Sequence, residues 1–194
     1  MSTTTQPSPR LRARRRRHTP YRLLAAAFAA AAAILIVATQ ADLRVGEAVL
    51  ARWFVQSVTA GQSVAAGTIV YFGIGTDQVT GISITALCST VVFIVPLIAL
   101  VAAMLAITRA GVHRVLLAGA VGISVVVVCN FVRFASAAWA FDRYGRDGFD
   151  IVHRYAGSIF VIIGFVAAIV LTLTIGLREP HRKAPRRAPR GGRR

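Results

Sequence analysis

The stretch Ser83-Ile84-Thr85-Ala86-Leu87-Cys88-Ser89-Thr90 runs directly into Val91-Val92-Phe93-Ile94-Val95-Pro96-Leu97. A polar segment gives way to an apolar one, so a thiol stands at the mouth of a hydrophobic helix. The surrounding charge-free run extends from Gln78 to Thr108. Roughly 18 to 20 apolar residues are enough to cross a ~30 Å hydrocarbon core as helix. This run is longer than one span needs, and its first part, up to about Ala86, is polar enough to lie outside.

Three further runs are charge-free and strongly apolar: Leu23 to Ala41, Val115 to Val132 and Tyr155 to Leu177. With 56% hydrophobic residues, 15% charged residues and a mean hydropathy of +0.64, the chain lies outside the composition of soluble domains. The expected class is an all-α polytopic membrane protein of about four transmembrane helices. Pro96 is a potential kink in the second.

The net charge of +16 suggests nucleic-acid binding until its distribution is considered. Seven arginines lie between Arg10 and Arg22, Arg109 and Arg114 lie in the second connection, and eight Lys/Arg lie from Arg178 to Arg194. The other two connections hold Arg44, Arg52, Arg143, Arg146 and Arg154 beside Asp42, Glu47, Asp77, Asp142, Asp147 and Asp150. Positive charge thus concentrates on one side, and the positive-inside rule places both termini in the cytoplasm. The basic tails read as topology determinants that also attract anionic lipid, so the expected partner is the bilayer and no nucleic acid.

Three regions follow. Residues 1–21 and 178–194 are expected to be disordered basic cytoplasmic tails, and 22–177 an integral membrane domain. The Ala-rich helix from Leu23 to Thr39 also fits a secretory signal peptide with Thr39-Gln40-Ala41 as its cleavage site; both readings leave every later segment on the same side. Between helices one and two a small extracytoplasmic element is expected. From Leu43 to Val58, Val45, Val49, Leu50, Trp53 and Phe54 share one helical face, with Arg44, Glu47 and Arg52 opposite. This predicts an interfacial helix with Asp42 as N-cap. Thr68 to Phe72 and Val79 to Thr85, separated by Gly75-Thr76-Asp77, predict a hairpin leading to Cys88, with an irregular loop as the alternative. Helix three is expected from Val115 to about Phe141, a polar outer loop from Phe141 to His153, and helix four from about Arg154 to Leu177.

A cysteine nucleophile works as the thiolate, which an apolar environment disfavours, so it needs a cation and a base. Arg133 and His153 are the candidates. Arg133 lies 18 residues beyond Val115, ~27 Å along a helix of ~1.5 Å rise, near the same boundary as Cys88 and His153. Each residue has a plain alternative: Cys88 and Cys129 as packing, Arg133 snorkelling to the interface, His153 as an interfacial side chain. Their shared depth favours one site. Asn130, three residues before Arg133, can hold the guanidinium or a substrate carbonyl; Asp150 can orient His153. Cys88 and Cys129 form no CxxC pair, so no disulfide framework or dithiol motif is indicated, and no cofactor or metal is expected.

Cys88-Ser89 opening a helix, Asn130-Phe131-Val132-Arg133 late in the next and His153 with Gly157 opening the one after resemble the exosortase/archaeosortase family of membrane transpeptidases. The resemblance covers about Val79 to Gly164. It implies a nucleophile at Cys88, a histidine acid/base at His153 and a catalytic arginine at Arg133, with Ser89, Asn130 and Asp150 supporting. The implied activity is that of a cysteine-type peptidase and transpeptidase of the plasma membrane, cleaving C-terminal sorting signals of exported proteins at the outer face. The chain departs from the family pattern at Thr90, where Gly is frequent, and in having fewer helices than many members. The rival class is a non-catalytic membrane scaffold or complex subunit.

Overall fold

A computed structural model describes residues 19–108 and 110–178. It is mostly helical, with the elements α1 (Thr19–Ala38), α2 (Gln40–Gln56), β1 (Gln62–Ala66), β2 (Ile69–Ile74), β3 (Thr80–Ser83), α3 (Val91–Ile107), α4 (Val112–Ile151), a π-helical turn (Val152–Ala156) and α5 (Gly157–Leu177). The tails expected at 1–21 and 178–194 lie largely outside the described residues, as does Arg109; Thr19 to Tyr21, expected in the tail, already form the first turn of α1. Two helical stretches, Pro20–Ala38 and part of Val112–Leu177, are long and apolar enough to cross a membrane, and Val91–Ile107 is a shorter apolar helix.

The four apolar helices α1, α3, α4 and α5 pack side by side, α1 along α3 and α5 along α4. Backbone contacts are close where side chains are small: a Cβ at Gly122 would meet Thr172, and one at Gly164 would meet Cys129. Small residues at helix seams let the backbones approach closely. Large side chains such as Leu24, Phe28, Ile34 and Ile163 point outward instead. At one end of the bundle Arg22 donates to the carbonyls of Leu105 and Thr108, capping α3, and Arg114 donates to the carbonyl of Arg178 beyond α5. Cations on terminal carbonyls satisfy groups that a helix leaves unpaired. Pro96 sits inside α3 without interrupting it.

At the other end stands a small α/β cap. The expected hairpin is present as β2 and β3, which pair Val70 with Ile82 and Phe72 with Thr80; β1, which was not expected, pairs antiparallel with β2. Its residues, Gln62-Ser63-Val64-Ala65-Ala66, carry a single β-branched side chain, so sequence propensity gave little sign of it. Val70, Phe72, Ile82 and Ile84 face inward against Ala48, Ala51 and Val55 of α2 and Phe131, Phe134, Ala137 and Ala138 of α4.

Two segments of this cap depart from expectation. Helix α2 leaves its bulky face, Val45, Val49, Leu50, Trp53 and Phe54, exposed as an interfacial helix would, but Glu47, expected on the opposite polar face, is buried with Ala48, Ala51 and Val55. Asp42 is not its N-cap but lies in the first turn, after Thr39. The second correction is the polar segment from Phe141 to His153, which is helical. Helix α4 continues through it with a break at Gly145 (φ 65°, ψ −152°), a conformation open essentially only to glycine. The chain reverses there, so Phe149 packs edge-on against Phe141 and a Cβ at Gly148 would meet Tyr144 and the carbonyl of Ala140. The expected loop is thus a tight helical hairpin, and it folds residues 152–157 back to the level of Arg133.

Candidate active site

Cys88 is delivered by a seven-residue connection, 84–90, between the sheet and α3. The connection starts where Ile84, the last inward residue, hydrogen-bonds to the Thr68 carbonyl, and it is wound by bonds from the Cys88 and Ser89 amides to the Thr85 carbonyl, both 3.1 Å. The sheet therefore sets where the thiol leaves the cap, and α3 sets the direction in which the chain continues.

Arg133 is 7% exposed. Its Nη2 is 3.9 Å from Cys88 Sγ, 3.3 Å from the His153 carbonyl and 3.4 Å from Ser158 Oγ, and its Nε is buried without a partner. A guanidinium in so dry a place is costly unless its donors are used. The π-helical turn supplies one acceptor, the His153 carbonyl, and the first turn of α5 supplies the other, Ser158 Oγ. Gly157 leaves the room: a Cβ there would stand 2.8 Å from Arg133 Cγ and 2.9 Å from the Val152 carbonyl. The Arg133 stem thus passes α5 at Gly157, where the absent side chain leaves it room.

The His153 ring is stacked on Phe149, with centroids 5.1 Å apart and planes 11° from parallel. It lies beside Cys88 and is the largest influence lowering the thiol pKa; the Thr85 hydroxyl and the Arg133 charge add to it. Together they outweigh burial and bring the thiol from 9.0 down to about 7. No well-formed hydrogen bond yet joins thiol and imidazole, and His153 Nδ1 is buried without a partner. Such looseness is common where catalytic hydrogen bonds tighten only around substrate. Asp150, expected to orient His153, instead pairs with Arg154 at 3.5 Å. The orientation of the ring comes from the Phe149 stack.

Asn130 is fully buried, but it does not hold the guanidinium. Its Nδ2 donates to Glu47 Oε1 (2.8 Å), the Cys88 carbonyl (3.1 Å) and Thr90 Oγ1 (3.0 Å), while Oδ1 has no partner. Ser89 faces away from the thiol and donates to Glu47 Oε2 at 2.7 Å. The sequence reading missed Glu47, which it placed on a solvated helix face, and also Thr85 and Ser158. A signal for Glu47 existed: it is the only acidic residue between Asp42 and Asp77, and it is flanked by Gly46, Ala48 and Ala51. That stripe of small residues fits a close-packed face better than a wet one. For Thr85 and Ser158, two ordinary hydroxyl residues, the sequence carried no comparable mark.

The three residues expected to meet are therefore brought together: a thiol with a depressed pKa, a buried guanidinium with an unused N–H, and an imidazole with an open nitrogen. A nucleophile, an oxyanion donor and a proton carrier are the parts an acyl transfer needs. Comparison with known proteins gives no match to any family model, curated protein or solved structure.

Proposed function

We propose that this chain is a membrane-embedded cysteine transpeptidase, similar in its site to the exosortase/archaeosortase family, that cleaves C-terminal sorting signals of exported proteins. The observation that carries the reading is the convergence of Cys88, Arg133 and His153, with Arg133 Nη2 3.9 Å from the thiol and 3.3 Å from the His153 carbonyl. The Cys88 thiolate attacks a peptide carbonyl, and the carbonyl oxygen takes up the displaced electron pair as an oxyanion against the Arg133 N–H groups. The tetrahedral adduct collapses as the C–N bond breaks, and His153 passes to the leaving amine the proton that it took from the Cys88 thiol. The resulting thioester is attacked by an amine, a hydroxyl or water, which releases the thiol.

The orientation in this reading is a four-span bundle with both termini in the cytoplasm. It is supported by the gathering of Arg22, Arg114 and Arg178 at the end of the bundle opposite the site, as the positive-inside rule requires. The sheet and α2 then form a cap on the outer surface. A site at that depth reaches a peptide bond close to the membrane surface, just before an anchor. The substrate is accordingly an exported protein ending in a short motif, one apolar span and a few basic residues that hold the tail in the cytoplasm. Substrate and enzyme helices meet side by side in the bilayer.

The test is Cys88→Ala, with the C-termini of surface proteins compared between cells carrying the variant and the wild type. Exported proteins retaining an extra apolar tail in the variant are the expected result. Normal C-termini with a folded, inserted variant would overturn the reading and favour a non-catalytic scaffold.

A further inference from the structure

We propose that Glu47 is a positioning residue for Cys88, holding the nucleophile through the Ser89–Thr90 peptide at the head of α3; this rests on the transpeptidase reading and adds a residue which that reading does not use. The Glu47 side chain is 7% exposed, and donors surround it. Ser89 Oγ donates to Oε2 at 2.7 Å, the Thr90 amide to Oε1 and Oε2 at 2.9 and 3.2 Å, the Thr90 hydroxyl to Oε1, and Asn130 Nδ2 to Oε1 at 2.8 Å. Among the described residues no cation pairs with it, the one salt bridge being Arg154–Asp150. Burying a carboxylate costs free energy that an apolar residue would not. What the carboxylate provides is four donors tied to one acceptor.

Those donors belong to the segment that carries the thiol. The Thr90 amide stands at the start of α3, where backbone N–H groups lack helical partners and favour an acidic group. Asn130, itself anchored on Glu47, holds the Cys88 carbonyl at 3.1 Å. Cys88 is thus fixed on its C-terminal side through Glu47 and on its N-terminal side through Thr85. Without Glu47 the first fixture loosens at Ser89, Thr90 and Asn130 together. The Sγ to Nη2 distance of 3.9 Å leaves no slack for such a shift.

The test uses the full-length protein in a Cys129→Ala background, so that Cys88 is the only thiol. The probe is a membrane-impermeant charged disulfide reagent, and its rate of exchange is measured against pH for the wild type, Glu47→Gln, Glu47→Asp and Thr90→Val. Gln preserves shape but turns an N–H group toward donors. Its exchange midpoint should rise by about one unit, with thermal melting changed little and processing of exported proteins in cells reduced about tenfold or more. Asp, which keeps the acceptor, should restore part of both. Thr90→Val removes one donor and leaves Glu47 in place, so it should move the midpoint in the same direction by less, and it covers the case in which Glu47→Gln does not fold. A wild-type exchange profile in Glu47→Gln, or in Thr90→Val if the former is unfolded, would overturn the proposal. The exchange rate needs no substrate. If Cys88→Ala cells process exported proteins normally, the transpeptidase reading fails while the exchange profile still judges the role of Glu47.

Discussion

Replacing His153 by alanine should change the reactivity of Cys88 in a direction that depends on pH. His153 is the largest influence holding the thiol at about 7, so its removal should return the midpoint toward 9.0. Depression of a thiol pKa gives thiolate that is present above the lowered value and lost as pH falls through it. At pH 7 about half of the wild-type thiol is ionised, against about one part in a hundred for a thiol at 9.0, a loss of about 50-fold. A more basic thiolate is intrinsically the better nucleophile, and a Brønsted slope of about 0.4 to 0.5 over two units returns about 6- to 10-fold. The net expectation for exchange with a charged disulfide reagent, again in Cys129→Ala, is a rate about 5- to 8-fold slower at pH 7 and several-fold faster at pH 10. The two profiles must cross. A His153→Ala protein with its midpoint still near 7, or one slower at every pH, would refute the assignment of His153 as the group that activates Cys88.

Other expectations follow from the same geometry. Arg133→Lys keeps a charge but loses the planar fork that reaches Cys88, His153 and Ser158, so processing should fall about 100-fold, measured as uncleaved exported protein; near-normal processing would leave Arg133 only a charge role. Gly157→Ala places a methyl 2.8 Å from Arg133 Cγ and should cost about 1 to 3 kcal/mol by denaturant melting, together with most of the activity. Gly145→Ala has room for its methyl but not the backbone conformation, so it should destabilise by a similar ~1 to 3 kcal/mol and loosen the hairpin that returns His153 to Arg133, read as a raised Cys88 exchange midpoint. In intact cells the impermeant reagent should label Cys88 faster than Cys129; labelling of Cys88 only after the membrane is opened would reverse the proposed orientation.

The sequence by itself determined the parts that depend on local composition and on counting. The apolar helices could be read because long runs that are both charge-free and strongly apolar admit few other structures, and the β2–β3 hairpin because Ile82 and Ile84 alternate with Ser83 and Thr85. Counting residues along α4 placed Arg133 level with Cys88, since helical rise is nearly constant. Tertiary structure decided what depends on which surface meets which. On α2 Glu47 was expected on the polar face, opposite Val45, Val49, Leu50, Trp53 and Phe54. Here the close-packed face is made of small residues and one carboxylate, and the bulky residues are outside. Close approach of small residues and hydrogen-bond pairing, rather than bulk, mark the buried face of this helix. The partners of Glu47 lie 42 to 83 residues away in the chain, and the role of Gly145 rests on a single backbone conformation. Neither leaves a periodic trace in the sequence. Asp150 shows the same limit at short range: its spacing suited both His153 and Arg154, and in the fold it pairs with Arg154 while the His153 ring stacks on Phe149.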